Sequence, residues 1–381
     1  MNTSEEKEIS DWRENPENGT DERLVMLREK IDRLDREILK SINERLSAAK
    51  DIGEIKKSLG LPVLDKSREI KVIENLISKN DGLLTRDQVI TIYLEIIAAC
   101  REIQNPLRIT YFGPEATFTH LAALKHFGHI DAYTPQLSIR DVFDEVEKDH
   151  FHYGVVPVEN SIEGAVNHTL DLFLESNLKI CAEHYMPITH DLLNQSGNKD
   201  DIRVVYSHPQ AIAQCRNWLR NYVPRAELKE TDSTASAAKK AAEDNDAGAI
   251  ASSRAGVIYG LKVAASRVED HTNNMTRFLV IGKNGKSMPT GYDKTSLLFV
   301  TGHYPGALYK TLEPLTRNNL NMMKLESRPV KFEPFSYVFF TDIEGHVDDK
   351  AVADTLSEMK SLCQFMKVLG SYPRDRQRIE G

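Results

Sequence analysis

Six consecutive residues, Asn273-Asn274-Met275-Thr276-Arg277-Phe278, place two amides, a hydroxyl and a guanidinium at the mouth of an apolar run, Phe278-Leu279-Val280-Ile281, that stops at Gly282. A hydroxyl beside a fixed cation can hold a carboxylate and protonate a departing hydroxyl group. Open α/β sheets bind small polar ligands at such strand ends. A strand start with ordinary polar caps has the same local pattern, so Thr276, Arg277, Phe278 and Asn274 gain meaning only from the rest of the chain.

Three more polar corners follow the same grammar. Gly113-Pro114-Glu115-Ala116-Thr117-Phe118-Thr119 comes after a predicted strand and opens a predicted helix, where amides and the hydroxyls of Thr117 and Thr119 suit a carboxylate. Pro157-Val158-Glu159-Asn160-Ser161-Ile162-Glu163-Gly164 offers Glu159, Asn160 and Ser161 to a substrate, and Ser207-His208-Pro209-Gln210-Ala211 is a further corner. Each alone reads as a helix cap; four in one region favour a cleft. His120, His184 and His271 are not needed for such a site and read as structural or exposed.

A second cluster is cationic. Arg45 and Lys56 are 11 residues apart, which on a helix leaves them only ~20° apart in angle and ~16 Å apart along the axis. Two long side chains so placed can converge on a small dianion. Arg28 lies about 100° away and fits another site, in a dimer the partner's. Arg68 adds a cation, and Asp65, Glu69 and Gln104 add contacts for a hydroxyl or an ether oxygen. The plain alternative is a set of solvated charges on an amphipathic helix. A third pair lies near the end of the chain. Gly306-Ala307-Leu308 starts a predicted helix whose amides suit a carboxylate, and Glu326-Ser327-Arg328-Pro329 ends a predicted strand with an acid for an ammonium group. An amino acid needs both.

These groups must be held by three kinds of element. Residues 1–20, with six acids and two bases, read as a disordered acidic tail. Leu24, Leu27, Ile31, Leu34, Ile38, Ile42 and Leu46 recur at spacings of three and four, which predicts one helix from about Asp21 to Leu59, ended by Gly60-Leu61-Pro62. It would be nearly 60 Å long at ~1.5 Å per residue, and needs a partner such as a second copy of itself. Shorter helices are predicted near 66–79 and 86–104. From Arg108 strands and helices alternate. Strands are expected at 108–112, 153–158, 178–185, 204–206, 247–251 and 278–281. Helices are expected near 117–127, 138–148, 164–175, 208–221 and 233–243. Lys283–Asp293 reads as a linker, and the remainder as βαββαβ, a ferredoxin-like sandwich.

The bulk numbers fit this plan. A chain of 381 residues holds two or three domains. A net charge of −8 argues against a general nucleic-acid binder. Cys100, Cys181, Cys215 and Cys363 are far apart, which suggests neither a zinc site nor a disulfide framework and fits a reducing cytoplasm. No apolar run approaches the ~18 residues that span a bilayer, and the acidic N-terminus does not resemble a signal peptide.

Several of these runs carry a resemblance. Leu27-Arg28-Glu29-Lys30-Ile31-Asp32-x-x-Asp35, Asn43-Glu44-Arg45, Ile52-Gly53-x-x-Lys56 and Pro62-Val63-x-Asp65-x-x-Arg68-Glu69 resemble the all-helical chorismate mutase family over residues 21–105. The resemblance implies an intertwined dimer that converts chorismate to prephenate. Arg28 (from the other subunit), Arg45 and Arg68 would hold carboxylates and the ether region. Lys56 and Gln104 would contact the ether oxygen, and Glu69 and the Asp65 backbone region the ring hydroxyl. Cys100 stands where the family often has serine, and a thiol is the poorer hydrogen-bond partner.

The Val-Glu-Asn-Ser, Ser-His-Pro-Gln and Thr-Arg-Phe runs, in that order, resemble prephenate dehydratase over residues 107–283. That implies two α/β lobes, like a periplasmic binding protein, with the site between them. The product would be phenylpyruvate. Thr276 would be the proton donor or its key partner, Arg277 would orient substrate or brace the site, and Asn160, Ser161, Thr117 and Thr119 would bind carboxylate or hydroxyl. The family often has glycine where Ala116 stands. Gly306-Ala307-Leu308, Asn319-Leu320, Glu326-Ser327-Arg328-Pro329 and Leu369-Gly370-Ser371-Tyr372-Pro373 resemble the amino-acid-binding ACT module over residues 293–375, with phenylalanine as the implied effector and a site between paired modules. The whole is thus similar to the bifunctional enzymes of phenylalanine biosynthesis, as a homo-oligomer (dimer or tetramer) with no metal or cofactor. Two rivals remain at this stage: a dehydratase whose helical segment only dimerises, and a non-catalytic metabolite sensor.

Overall fold

The computed structural model describes residues 16–59, 64, 66–129, 132–283, 287–329 and 337–375. Asp65, the expected stop at Gly60-Leu61-Pro62 and the first fifteen residues of the expected tail lie outside them. The chain divides into two compact units.

The first unit contains α1, Pro16–Ser58, and residues 99–105. The helix starts five residues before the expected Asp21, so residues 16–20 belong to it and not to a tail. Proline suits a first helical turn because its missing N–H has no partner there anyway. At 43 residues α1 is about 65 Å long. Its outward stripe of Leu24, Leu27, Ile31, Leu34 and Ile38 remains 43–56% exposed.

The second unit begins with α2, Lys66–Ser78, and α3, Arg86–Gln104, whose end belongs to the first. A first lobe then forms from β1 (Ile109–Phe112), α4 (Phe118–Phe127), β2 (Tyr133–Gln136), α5 (Ile139–Glu147), β3 (Tyr153–Asn160), β4 (Gly164–Ala165), α6 (Asn167–Glu175) and β5 (Lys179–Pro187). The chain crosses to a second lobe, β6 (Asp191–Asn194), β7 (Val204–Ser207), α7 (Pro209–Gln214), α8 (Arg216–Tyr222), β8 (Glu227–Glu230), α9 (Thr234–Ala242), β9 (Ala247–Ala251), α10 (Ser253–Tyr259) and β10 (Lys262–Ala265). It then returns to the first lobe as β11, Met275–Gly282. The sheets run β2-β1-β3-β11-β5, with β4 on β3, and β10-β6-β9-β7-β8. β11 inserts antiparallel between β3 and β5. The two crossings bond to each other through Ile188 N to Asn274 O (2.8 Å) and Val268 N to His190 O (2.7 Å).

A third sheet follows: β12 (Asp293–Thr301), α11 (Ala307–Arg317), β13 (Met322–Pro329), β14 (Tyr337–Glu344), α12 (Lys350–Leu362) and β15 (Cys363–Pro373), ordered β13-β14-β12-β15 and antiparallel throughout. This is the expected βαββαβ order. Alternation along its strands makes two faces. Leu297, Phe299 and Ile343 share a core with Leu315 of α11 and Leu356 and Met359 of α12. Leu298, Val338, Phe340, Leu369 and Tyr372 join the core of the first lobe with Phe143, Val158, Phe173 and Leu279. Gly370 lets β15 lie on β5, since a Cβ there would collide with the Ile180 carbonyl.

Two expectations are corrected here. The helix expected over 208–221 is broken at Cys215, which caps both α7 and α8. The strand expected from Phe278 begins at Met275, so Thr276 and Arg277 sit within a paired ladder rather than ahead of it.

Candidate active sites

Because β11 begins at Met275, its register with β3 pairs Thr276 with Asn160 and Arg277 with Glu159. Successive residues of a strand face opposite ways. Thr276 and Asn160 therefore share one face, and Arg277 and Glu159 the other.

On the first face Asn160 is fixed by its own backbone surroundings. Its Oδ1 accepts from the N–H groups of Ile162 (3.0 Å) and Glu163 (3.1 Å). The other end of the amide must then be Nδ2, which donates to Asn274 Oδ1 (2.7 Å) and Thr276 Oγ1 (2.8 Å). Asn274 in turn donates through Nδ2 to Gln214 Oε1 at 3.0 Å. Gln214 Oε1 also lies 3.0 Å from His190 Nε2, which must donate to it. Every orientation is thus set from the Ile162 and Glu163 amides outward. His190 Nδ1 is left as a bare acceptor, buried without a hydrogen-bond partner among the described residues, and burial holds that imidazole below its ordinary pKa. Thr276 Oγ1 receives a hydrogen bond, so its own proton stays available to a ligand. Ser161 closes the strand end, its Oγ accepting from Met275 N (2.9 Å) and donating to Asn273 O (3.2 Å).

The other cleft candidates are placed differently. Thr117 caps α4, accepting from His120 N at 3.4 Å and donating to Pro114 O at 2.9 Å. Ala116 holds a left-handed φ of 69° where glycine would be unstrained. Thr119 is buried within α4. Ser207 is fully buried, and its hydroxyl donates to Ile250 O at 2.8 Å, across the β7–β9 pairing. Its expected substrate contact is corrected to a link within the second lobe's sheet. His120 is buried and stacks on Tyr111 at 4.7 Å, His184 meets His126 at 2.7 Å, and His271 is exposed.

On the opposite face Glu159 and Arg277 turn away from Thr276. Arg277, 4% exposed, donates to Glu183 (2.8 Å), Asp342 (2.6 Å) and the Tyr372 hydroxyl (2.9 Å). Lys294 also reaches Glu183 at 2.8 Å. Burial opposes the Arg277 charge, but Asp342, Tyr372 and Glu183 outweigh it and hold the guanidinium protonated. Burial likewise opposes the Asp342 carboxylate, and Arg277 and Lys294 still hold it below the usual range. Of the two expected roles for Arg277, these contacts fit bracing. Glu159 pairs with Lys324 at 2.8 Å, so its expected contact with substrate is corrected: the pleat directs it to the C-terminal sheet. Phe278, 2% exposed, offers packing and no reacting group.

Within the first unit, Arg45 Nη1 lies 2.6 Å from Cys100 Sγ. Burial raises the Cys100 pKa, with the Arg45 charge opposing, so the sulfur stays a protonated acceptor. Lys56 is half-buried further along α1. Gly53 lets Gln104 approach, since a Cβ would stand 2.8 Å from Gln104 Cγ. Gln104 Oε1 is buried with no hydrogen-bond partner among the described residues, a cost that a polar ligand would remove. Arg28 is exposed on α1. In the second unit, α2 presents Arg68 exposed and Glu69 buried.

In the C-terminal sheet, Gly306 takes a left-handed φ of 78° before α11, whose start has no side-chain cap. Residues 301–309 line a hollow of about 480 Å³ that includes Ala307 and Leu308. Asn319, left-handed at φ 52°, and Leu320 follow the helix. Glu326 does not line that hollow. It shares a face of β13 with Lys324 and Arg328, whose guanidinium reaches Asp171 at 3.3 Å, while Ser327 and Pro329 are exposed on the other. One chain therefore does not bring the two expected halves of the amino-acid site together.

Sequence reasoning missed Gln214, His190, Lys324 and Asp342. None belongs to a local motif, and His190, between Thr189 and Asp191, is not set apart from its neighbours. Among the described residues no group of three His, Cys, Asp or Glu side chains could hold a metal ion, and no helix is long and apolar enough to cross a membrane.

A two-lobed α/β enzyme with a hydroxyl donor on its inserted strand, preceded by a cation-bearing helical segment, matches two family models: Chorismate mutase type II over residues 27–105 and Prephenate dehydratase over residues 109–286. The bifunctional chorismate mutase/prephenate dehydratase of Aquifex aeolicus (strain VF5) is 48% identical over 357 residues, 93% of this chain and 98% of that protein. This chain belongs to the bifunctional chorismate mutase/prephenate dehydratase family. Among solved structures, the prephenate dehydratase of Arthrobacter aurescens in complex with L-Phe is 32% identical, with a TM-score of 0.65 over 70% of this chain and 90% of that one. GqqA, described as a novel type of quorum quenching acylase, is 28% identical at the same TM-score, over 71% of this chain and 99% of that one.

Proposed function

We propose that residues 21–105 form the mutase, 107–283 the dehydratase and 293–375 an ACT module that binds phenylalanine, and that Arg28, Arg45, Lys56, Arg68, Glu69 and Gln104 carry the first reaction and Asn160 and Thr276 the second. The observation that carries this reading is the hydrogen bond from Asn160 to Thr276, because its direction makes Thr276 a donor.

In the dehydratase step, the bond from the ring to its carboxylate breaks and its electron pair enters the ring. The ring hydroxyl leaves as water after taking the Thr276 proton, and carbon dioxide departs. Threonine is a weak acid at its ordinary pKa, so developing charge on Oγ1 needs support. The Asn160 N–H is already aimed there and strengthens as that charge grows. Oγ1 regains a proton from water after the products leave. Asn274, Gln214 and His190 hold the donor in place.

In the mutase step, the ether C–O bond breaks as a C–C bond forms, with no covalent intermediate. Arg45, Arg68 and the partner's Arg28 hold carboxylates and fold the substrate. Lys56 and the Gln104 amide N–H meet the charge that grows on the ether oxygen. Glu69 binds the ring hydroxyl, and Cys100 braces Arg45. The exposed apolar stripe of α1 supports a homo-oligomer, and four cysteines that form no disulfide among the described residues support a cytoplasmic enzyme.

The hollow at 301–309 supports an effector carboxylate at the α11 N-terminus, with Glu326 of a paired module as the ammonium partner. Phenylalanine is the effector by analogy with the Arthrobacter complex, and inhibition follows if it favours one conformation.

The decisive experiment gives purified chain chorismate alone, with prephenate as a parallel feed, and measures phenylpyruvate. Phenylpyruvate from both is expected. Product from prephenate only would reduce the helical segment to a dimerisation element. Product from neither would favour a metabolite sensor.

A further inference from the structure

Two cross-strand pairs meet where the third sheet lies on the first lobe. Glu159 of β3 is the register partner of Arg277 of β11, and Lys324 of β13 is the register partner of Asp342 of β14. The pairs face each other with complementary charge: Arg277 to Asp342 at 2.6 Å, Lys324 to Glu159 at 2.8 Å, and Arg277 to Glu159 at 3.9 Å. Glu159 thus meets a base both within its own sheet and across the boundary, and Asp342 meets Arg277 across it. Arg277 and Asp342 are 4% and 8% exposed at the side chain, and Lys324 is 15% exposed.

The neighbours in sequence give this quartet its meaning. Glu159 precedes Asn160, and Arg277 follows Thr276. The two residues that set the proton donor therefore have, as immediate neighbours, the two charges clamped by the C-terminal sheet. A strand passes displacement from one residue to the next through its backbone, and the register of β11 on β3 shifts between Arg277 and Phe278, directly after this pair. β13 is fastened a second time by Arg328 to Asp171, with Glu326 between the two fastenings.

We propose that Lys324 and Asp342 are positioning residues of the dehydratase site: the C-terminal sheet sets the alignment of Asn160 and Thr276 by gripping Glu159 and Arg277 from behind. Neither touches substrate. This deepens the dehydratase reading above and rests on it.

The test uses the full chain, with dehydratase kcat and KM measured on prephenate and mutase turnover on the same preparation as a control for folding. Lys324→Met is expected to lower dehydratase kcat about tenfold or more, since small misplacements of a catalytic group cost that much. KM should change less than about threefold, because substrate contacts are untouched, and mutase turnover should hold. Lys324→Arg keeps the charge and is expected to retain most of kcat. Asp342→Asn should behave like Lys324→Met, and if burial prevents its folding, the two Lys324 variants decide alone. A kcat within twofold of wild type in folded Lys324→Met overturns the proposal. So does a loss confined to KM, or a Lys324→Arg variant as impaired as Lys324→Met, which would mark packing rather than charge. If wild type gives no phenylpyruvate from prephenate, the functional reading itself fails and this proposal falls with it.

Discussion

Asn160 Nδ2 donates to Thr276 Oγ1 at 2.8 Å across the β3–β11 ladder, and the backbone amides of Ile162 and Glu163 forbid the reverse orientation. Thr276→Val keeps the shape and removes the proton. Dehydratase kcat should fall about a hundredfold or more, with mutase turnover unchanged on the same sample. Asn160→Asp replaces the donor with an acceptor and should be as damaging. An Asn160→Asp enzyme of normal kcat would show that the direction of this bond is immaterial.

Removing the Arg277 charge should cost stability as well as turnover. Arg277→Met removes the base that Glu183 holds at 2.8 Å and Asp342 at 2.6 Å in a buried space. Breaking such a network costs about 3–5 kcal/mol, readable as a lower midpoint in urea.

Asp375 gives a pH-dependent counterpart. Burial opposes its charge, but hydrogen bonding to His184, with Lys125 and the Tyr185 amide, lowers its pKa from 3.8 to about 2. The folded value lies below the unfolded one, so its contribution is complete above about pH 4 and is lost as pH falls towards 2. A shift of this size corresponds to about 2 kcal/mol. Asp375→Asn should be less stable than wild type at pH 7 by about that amount, and the difference should vanish near pH 2. A gap that persists in acid would point to packing instead.

Gly53→Ala tests the helical site without touching a charge. The added methyl meets both the side chain and the backbone of Gln104. Helix propensity alone favours alanine by about 1 kcal/mol, so thermal stability need not fall. Mutase turnover should nevertheless drop about tenfold, with dehydratase turnover intact.

The exposed stripe on α1 predicts a dilution effect on one activity alone. Ile31→Asp with Ile38→Asp charges that stripe and should yield a smaller species by sedimentation. If Arg28 acts in the partner's site, that species loses mutase turnover even at high concentration.

The order of elements was legible wherever a strand or helix was long and apolar. β9 (Ala247–Ala251) appeared at its expected bounds, and the third sheet followed the expected βαββαβ order. β2, β6, β8 and β10 were not legible. Each has four residues, and Tyr133-Thr134-Pro135-Gln136 or Glu227-Leu228-Lys229-Glu230 carries no apolar alternation of its own. Their pairing comes from neighbours distant in sequence. The start of β11 was hidden for the same reason. Nothing local marks Thr276 as a strand residue until β3 supplies its partner. With the strand start misplaced by three residues, the facing of Glu159 and Arg277 could not be inferred, because the pleat has a period of two. Gln214 and His190 reach the site only through the crossing between lobes, which no spacing in the chain records.

The core that joins Phe173 and Leu279 to Leu298 and Phe340 has a consequence for cooperativity. Successive sheets of one chain are readily pictured as beads on a string, each melting at its own temperature. Here the apolar layer beneath the third sheet is also the outer layer of the first lobe, so neither can lose its packing while the other keeps its own. The first lobe and the third sheet should unfold in a single calorimetric transition, and a chain cut after Gly282 would expose a wide apolar face and aggregate rather than remain an active dehydratase.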